Sequence, residues 1–389
     1  MTMFVNNNFL KIICLTGLLL FMDLPLVADN LTRSEYIDAI MLLKHKKVNY
    51  RRRGALVLNN CRDRNAVPHL INALSDPDYL VRKRAATSLV NVGNVNDKLT
   101  VPALAESLAG ETDEEAYSAK VYALAHFSGH KSTLAEITNV YNAMTEEDRE
   151  KMLYFFHDLV KQNKAAFENL RSLYKEALEY GTPKCRLLAL SAFGANGNVF
   201  DRDLLIKYAT HSDINTRLIS LQYLEKFEDN EVIVILRKAC EDVFPLIRTE
   251  ALTSLAAHKN IDNFNIFVKA CKDGSPLVRR VATMALGLLQ NHEGFTILRH
   301  LLLDADRGVR LEAAHSLALM DQHAGFDILV HNMRENSDKE ERRIAAHGLY
   351  VLKSRHAAEH FQSVLRDRDL QVRRIAQKAL KELNIRARY

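Results

Sequence analysis

The chain has 389 residues, a formal net charge of +5, 14 Gly, 7 Pro and no Trp. A net charge this small for the chain length does not indicate a nucleic-acid partner, because dedicated nucleic-acid binders concentrate a much stronger basic field. The scarcity of Gly and Pro, together with frequent Ala, Leu, Lys, Arg and Glu, predicts a helical protein. Its length allows either one elongated array or two to three domains.

The segment 1–28 has the layout of a secretory signal. Lys11 precedes an apolar run from Ile12 to Met22, and the small residue Ala28 follows Asp23 and Pro25. A charged start, an apolar centre and a small residue before the cleavage point are typical of export signals. The run is shorter than the roughly 20 residues that a membrane-spanning helix needs. We therefore predict a signal peptide over residues 1–28 and no integral membrane span in the mature chain, with an uncleaved anchor or an ordinary first helix as alternatives.

The rest of the chain contains an internal repeat with a period of roughly 31 residues over most of its length. Each repeat has an Arg or Lys, and in the clearest repeats small residues follow three and six positions later, with Leu at the seventh. The basic residues that mark the eleven repeats are Arg51, Arg82, Lys120, Lys151, Arg186, Arg217, Arg248, Arg279, Arg310, Arg342 and Arg373. Such regular spacing indicates a repeat architecture rather than a set of unrelated domains.

Within one repeat the pattern predicts two helices. The segment 67–74 has apolar residues at helical spacing, the segment 75–78 (SDPD) is a turn, and the segment 80–93 is a second helix that ends at Gly93. Neither helix can bury its apolar side alone, so neighbouring pairs must stack. The sequence therefore predicts an all-α, right-handed solenoid (superhelix) of about eleven helical hairpins over residues 29–389.

The predicted solenoid is irregular between about residues 105 and 180. This stretch lacks the Asp that precedes the repeat arginine elsewhere, carries the acidic insertion GETDEEAY (110–117) and is rich in Tyr and Phe. Two explanations fit these features. The interruption forms a bend or a site, or its aromatic residues fill the core between irregular helices.

The repeats resemble the HEAT superfamily, and in particular the short HEAT-like repeats known from phycobilisome lyases. The matching features are a V-R-x-x-A core and an Asp six residues before the Arg. In that family the Asp and Arg form a hydrogen-bonded ladder between adjacent repeats. The resemblance implies a structural role, rather than ligand binding, for Asp76, Arg82, Asp242, Arg248, Asp273, Arg279, Asp304, Arg310, Asp367 and Arg373. It identifies a fold and not an activity.

Four cysteines lie at core positions of the repeat. Cys61, Cys185, Cys240 and Cys271 take places that Val or Leu occupies in other repeats. Stacked helices lie about 8–10 Å apart, whereas a disulfide needs Cα atoms within about 7 Å. We predict four buried free thiols.

The remaining candidates for function lie on the second helices, which line the concave face of such a solenoid. Basic residues often follow the ladder Arg, and His315 and His347 share one register. We predict partner contacts at Arg52, Lys83, Arg280, His315, Arg343, His347 and Arg374. The alternative is that these residues form only the solvated side of the helices. Two imidazoles on adjacent repeats suit a metal ion, but no carboxylate or Cys recurs with them, so we expect no metal and no cofactor.

These observations favour a non-catalytic scaffold that offers its concave face to a protein partner. With the export signal, the predicted location is the periplasm or cell envelope, and the expected state is a monomer. A cytoplasmic adaptor or assembly factor is the first alternative. A metal-dependent or lyase-type enzyme is the second, although the sequence has no Walker loop, no G-x-S-x-G motif and no paired C-x-x-C, so we assign no catalytic residue.

Overall fold

The computed structural model describes residues 32–59, 63–93, 99–108, 110–128, 131–196 and 199–385. Over these ranges the regular elements are 22 α-helices and four short 3-10 turns, and no strand occurs. The helices form eleven consecutive pairs, which confirms the predicted all-α solenoid class. The predicted signal peptide, residues 1–28, and Cys61 lie outside the described residues. None of the described helices is long and apolar enough to cross a membrane.

The chain divides into two compact units, Met1–Leu173 and Tyr174–Tyr389. Unit 1 holds α1 (Arg33–Leu43), α2 (Val48–Leu58), α3 (Val67–Ala73), α4 (Tyr79–Val92), α5 (Thr100–Glu106), α6 (Glu114–Phe127), α7 (Lys131–Ala143) and α8 (Glu146–Gln162). The boundary between the units lies inside α9 (Lys164–Tyr180).

Unit 2 continues with α10 (Pro183–Asn196), α11 (Val199–Tyr208), α12 (Ile214–Leu224), α13 (Asn230–Ala239), α14 (Pro245–Ala257), α15 (Phe264–Ala270), α16 (Pro276–Leu289), α17 (His292–Leu301), α18 (Arg307–Leu319), α19 (Phe326–Glu335), α20 (Lys339–Val351), α21 (Ala358–Ser363) and α22 (Leu370–Glu382). Even-numbered helices are the second helices of their repeats. In unit 2 each second helix packs on the second helix of the next repeat.

Aspartates in the turns start many of the second helices. Asp78 caps α4 by accepting a hydrogen bond from the backbone N–H of Val81, and Asp306 does the same for Val309 at the start of α18. Such caps satisfy backbone donors that a helix end leaves unpaired, and each contributes about 1 kcal/mol. The aspartates of the turn therefore fix where the second helix begins.

The last five second helices are followed by a left-handed residue that is not glycine. The residue eleven positions after the repeat Arg has φ between 47° and 57° in all five: Lys259, Gln290, Asp321, Lys353 and Asn384. The predicted end of α4 at Gly93 is observed, but Gly93 has an extended backbone (φ −68°). A glycine therefore does not end the second helices of these repeats. Non-glycine residues there adopt the left-handed backbone conformation that favours glycine.

The core lies between the helix pairs and depends on small residues where second helices approach each other. The third residue after the repeat Arg is a buried alanine in five successive repeats: Ala251, Ala282, Ala313, Ala345 and Ala376. Tyr223 is a large exception at the sixth position, where the other repeats of unit 2 have a small residue. A Cβ on Gly194 of the preceding repeat would lie 2.0 Å from Cγ of the Tyr223 ring, so only glycine leaves room for the ring there.

The aromatic residues of the irregular stretch contribute mainly to the core. The side chains of Tyr141, Phe156, Phe167 and Tyr174 are buried. Tyr154 and Tyr180 are exposed. The packing favours core filling over a ligand site for most of these rings.

The cysteines follow the register prediction with one difference. Cys185 and Cys271 are buried free thiols, whereas Cys240 is free but only half-buried. Burial raises the pKa of the Cys271 thiol to about 12, and it raises the pKa of Cys240 to about 12 as well. Both thiols are therefore protonated and unreactive at neutral pH.

Candidate partner-binding face

A ladder of ion pairs joins successive repeats at their turns. The arginine of one repeat reaches the aspartate that opens the turn of the next repeat, at 2.7–3.1 Å in five pairs: Arg51–Asp76, Arg217–Asp242, Arg248–Asp273, Arg279–Asp304 and Arg342–Asp367. In the Arg279–Asp304 pair, Nε and Nη2 each donate to one carboxylate oxygen at 2.8 Å. Nη1 of Arg279 donates to the carbonyl of Asp273 in its own turn at 3.0 Å.

A ladder aspartate accepts hydrogen bonds from the preceding repeat and from its own turn. Asp304 Oδ1 also accepts the backbone N–H of Asp306 at 2.8 Å, which closes the turn. The hydrogen bond from Arg279 holds the pKa of Asp304 below its usual range even though burial opposes this shift. A charged and bidentate contact of this kind is stronger than a hydrogen bond between neutral groups. The ladder therefore couples the turn of each repeat to its neighbour.

At one junction of unit 1 a glutamate takes the place of the ladder aspartate. Glu111 lies in the acidic insertion and accepts from Arg82 Nε at 2.7 Å and Nη2 at 2.6 Å. Its carboxylate also lies 2.8 Å from Nζ of Lys120, which is almost completely buried and donates to the carbonyl of Ser107. Burial would raise the pKa of Glu111, but the donors Arg82 and Lys120 lower it to about 2. The insertion thus supplies a ladder acid that the sequence pattern did not reveal, because it is a Glu and lies nine residues before Lys120.

Two predicted ladder arginines lack a carboxylate partner among the described residues. Arg310 donates through Nη1 to the carbonyls of Asp304 at 2.7 Å and Ala305 at 2.9 Å. Arg373 donates to the carbonyl of Asp367. For Arg310 the reason is local, since the turn of the following repeat has Asn336 where the turns before α14, α16, α18 and α22 have Asp.

Most of the residues predicted to form a basic stripe are ion-paired within the protein. Arg52 lies 2.6 Å from Asp78, Arg343 lies 2.6 Å from Asp369, and Lys83 lies 2.9 Å from Glu115. In each case the acid belongs to the turn or first helical residues of the next repeat. The expected row of free cations is therefore largely neutralised, because the next repeat places an acid opposite each of these three bases. Arg374 is exposed on α22.

Arg280 has a looser environment than its counterparts. Its guanidinium lies 3.6 Å from Glu312 and 3.8 Å from Glu341, distances beyond a hydrogen bond. Arg307 also lies 3.8 Å from Glu341. Glu312 itself is nearly buried on α18, with 7% of the residue exposed. Arg280 thus belongs to a mixed-charge cluster and not to a basic stripe.

The structure brings His315 and His347 into direct contact. Nε2 of His315 lies 3.0 Å from Nδ1 of His347, and the ring centroids are 5.3 Å apart. The separation of the centroids is close to the sum of the nitrogen–nitrogen distance and the distance from each nitrogen to the centre of its own ring. Both nitrogens therefore lie nearly on the line that joins the two ring centres. The N–H of one ring points at the lone pair of the other. Two ligands of one metal ion would instead direct their lone pairs at a common point beside that line. The described residues contain no group of three or more His, Cys, Asp or Glu side chains that could hold a metal ion.

Other polar groups flank the histidine pair. Glu312 Oε1 lies 3.5 Å from Nδ1 of His315, and Lys378 of the following repeat lies 4.9 Å from the centre of the Tyr350 ring. Tyr350 donates to Glu382 at 2.8 Å. Burial, together with the nearby charges of His315 and Lys378, lowers the pKa of His347. The last three second helices, α18, α20 and α22, therefore place polar side chains around His315 and His347.

Comparisons with known proteins place the chain among helical repeat proteins. A family model for HEAT repeats matches residues 39–125 and 264–350. No curated protein sequence matches the chain. Both matched stretches contain the ladder and the helix pairs described above, and the finer assignment to the phycobilisome-lyase type stays a prediction.

Solved structures of Kap121p, Kap95p and importin beta share the fold. Kap121p aligns with a TM-score of 0.64 and 12% identity over 93% of this chain and 46% of its own. Kap95p, in a structure that describes its binding to RanGDP, aligns with a TM-score of 0.57 and 11% identity over 90% of this chain and 57% of its own. Importin beta aligns with a TM-score of 0.52 and 12% identity over 90% and 57%. The chain spans about half the length of these proteins, and at such identities the likeness concerns the fold alone.

Proposed function

We propose, from the premise that this chain is a HEAT-repeat protein, that it is a non-catalytic scaffold that binds a protein partner on the second helices of unit 2. Repeat proteins of this class present extended surfaces formed by equivalent positions of successive repeats. Kap95p, which has the same fold, binds the protein RanGDP. These likenesses support protein binding as the general function and do not identify the partner.

The observation that carries this proposal is a row of accessible side chains that belong neither to the ladder nor to the apolar core. The fifth residue after the repeat Arg is half-buried or exposed in six successive repeats: Gln222, Thr253, Met284, His315, His347 and Lys378. The Arg, the small residue three positions later and the Leu at the seventh position stay nearly constant, because they form the ladder and the core. The fifth position differs in every neighbouring repeat except His315 and His347. Variable and accessible side chains on one face are what a specific binding surface requires.

Site-specific photo-crosslinking in the native host tests this assignment. A crosslinking amino acid at Gln222, Thr253 or Lys378 reports on the proposed face. The same amino acid at Lys238 or Arg299, which are exposed on first helices, provides the matched control. We expect one defined crosslinked protein from the second-helix positions and none from the control positions. Equal crosslinking at both sets, or none at either, would remove this face as the binding surface.

We further propose that the partner lies outside the cytoplasm, on the basis of the signal-like residues 1–28. The intact mass of the native protein and its cell fraction test this directly. A mass that lacks the segment 1–28, found in the periplasm or envelope, supports export. A full-length cytosolic protein would replace this proposal by that of a cytoplasmic adaptor or assembly factor.

A further inference from the structure

The repeat that contains α19 and α20 departs from its neighbours at two linked positions. The turns before α18 and α22 carry Asp304 and Asp367, whereas the turn before α20 carries Asn336. The residue just before the repeat Arg is a buried Val309 or Val372 in those neighbours, and here it is Glu341. Asn336 Nδ2 donates to Glu341 Oε2 at 2.6 Å, so the amide satisfies a carboxylate that replaces a core valine.

This exchange removes the ladder contact between α18 and α20. Arg310 keeps its backbone partners, but Asn336 fills the place of the carboxylate that would bind its Nε and Nη2. The ion pairs of Glu341 with Arg280 and Arg307 are 3.8 Å long and therefore lack a hydrogen bond. Among the described residues, the hydrogen bond between the side chains of α18 and α20 is that of His315 and His347, at 3.0 Å.

A hydrogen bond between two imidazoles depends on protonation. It needs one ring nitrogen without a proton, so it survives in the neutral and in the singly charged pair. When both rings carry two protons, an N–H faces an N–H at the same distance and two positive charges repel each other. The single side-chain hydrogen bond that the described residues provide at this junction is thus broken by acid.

The surroundings of the pair oppose the second proton. Glu312 of α18 is the carboxylate near His315, and Arg280 of α16 lies 3.6 Å from it. Burial lowers the pKa of His347, and the positive charge of Lys378 from α22 lowers this pKa as well. Glu382 of the same helix accepts a hydrogen bond from the Tyr350 hydroxyl of α20. From α19, the residue that lies against Gly348, next to His347, is the uncharged Leu329. Glu312 is therefore the carboxylate that offsets the charge of the pair on the His315 side, and it is shared with Arg280, whereas Lys378 adds positive charge on the His347 side.

We propose that the junction of α18 and α20 is a pH-sensitive joint, which opens when both His315 and His347 are protonated while the adjacent ladder junctions stay closed. The ladder carboxylates explain the selectivity. The hydrogen bond from Arg279 holds the pKa of Asp304 below its usual range, and at Asp273 burial opposes the shift but Arg248 still lowers the pKa. The closed junction therefore resists a second proton on the imidazole pair as the pH falls below the ordinary histidine range, whereas the carboxylates of Asp273 and Asp304 stay charged there.

The direction of the effect follows from linkage. The pKa of His347 is lower in the closed junction than in an open one, so the open state binds more protons and is favoured as the pH falls. The stabilising contribution is fully present above the ordinary histidine pKa of about 6.5 and is lost as the pH falls through the lowered value. The joint is a property of the free protein and does not depend on what the second-helix face binds.

Hydrogen–deuterium exchange of the full chain at pH 7.5 and pH 5, corrected for intrinsic exchange rates, tests the joint. We expect peptides from α18 and α20 to lose protection at pH 5, by at most about tenfold for each pH unit between the ordinary histidine pKa of about 6.5 and pH 5. Peptides from α14 and α16, which are joined by the Arg248–Asp273 pair, serve as the internal reference. An equal change in both sets of peptides would overturn the proposal.

Three variants separate the joint from a general acid effect. His347→Gln retains a hydrogen-bonding side chain that does not titrate, and it should abolish the pH response of α18 and α20. His331→Gln alters an exposed histidine on α19 and should leave the response unchanged. The double variant Asn336→Asp/Glu341→Val gives this repeat the residues of its neighbours and should keep the junction closed at both pH values. A full response in His347→Gln would contradict the proposal. If that variant does not fold, His315→Gln provides the same test.

Discussion

The substitution Asp304→Asn isolates the contribution of one ladder contact. Asparagine has nearly the same shape, and its oxygen can still accept the backbone N–H of Asp306 that Asp304 accepts at 2.8 Å. The amide nitrogen then faces Nε of Arg279, which lies 2.8 Å from the carboxylate in the native protein. A charged acceptor is replaced by a donor, and the guanidinium loses its counter-charge.

The expected loss of stability is about 2 kcal/mol, because hydrogen bonds to charged groups contribute roughly 1.5–3 kcal/mol and the turn hydrogen bond is retained. The pair is poorly exposed, with side-chain exposures of 15% for Arg279 and 10% for Asp304, so the value for solvent-exposed ion pairs does not apply. The loss should also depend on pH. The pKa of Asp304 is lowered in the folded state, so its contribution is present above its unfolded pKa and disappears as the pH falls through the folded value.

Urea unfolding monitored by circular dichroism at 222 nm measures this difference, with exchange of α16 and α18 amides as a local readout. Asp262→Asn makes the same change at an exposed residue and should alter stability by less than about 0.5 kcal/mol. The difference between native protein and Asp304→Asn should be constant from pH 7 to pH 5 and shrink below about pH 4. A loss at pH 7 no larger than the roughly 0.5 kcal/mol typical of surface substitutions, or one that does not change with pH, would refute this account of the ladder.

Three other outcomes follow from the described contacts. Glu111→Ala leaves the buried Lys120 without its carboxylate and should destabilise unit 1 by about 3–5 kcal/mol, measured by urea unfolding; a smaller loss than for the ladder variant would contradict this. Lys353→Gly relieves a left-handed residue (φ 47°) and should raise stability by about 1 kcal/mol, seen as a higher Tm, whereas a lower Tm would show that the side chain matters more than the backbone. Gly194→Ala should lower the Tm because its Cβ meets the Tyr223 ring, and Tyr223→Ala in the same chain should restore part of the loss; additive losses would exclude this clash.

Much of the fold could be predicted because the repeat itself encodes it. The Arg at one position, an Ala three positions later and a Leu at the seventh require a helix with one buried side, and recurrence about every 31 residues requires stacking. Arg248 and Asp273 lie far apart along the chain, and only the stacked geometry makes them neighbours. The resemblance to known HEAT repeats implied this pairing before the structure showed its distances.

The exceptions were harder to predict because they depend on contacts between different repeats. Glu111 takes the role of a ladder aspartate from within an insertion of different length, so no register argument identifies it. Arg343 looks like a surface cation in the sequence, and its pairing with Asp369 appears only when the next turn is in place. Gln290 has a left-handed backbone conformation at the end of its helix, and because it is not a glycine its residue type does not predict this conformation.

The two substitutions in the repeat of α20 are best understood as one compensated change. A Val→Glu change alone would bury a carboxylate without a donor, and an Asp→Asn change alone would leave Arg310 without its counter-charge; each is costly. Together they replace the hydrogen bond between Arg310 and a ladder aspartate by one within the repeat of α20, in which Asn336 donates to Glu341. The cost that remains is a weaker link to the preceding repeat. Because the histidine pair lies on that same junction, the loss of the ladder makes the protonation of two side chains matter for the packing of α18 on α20.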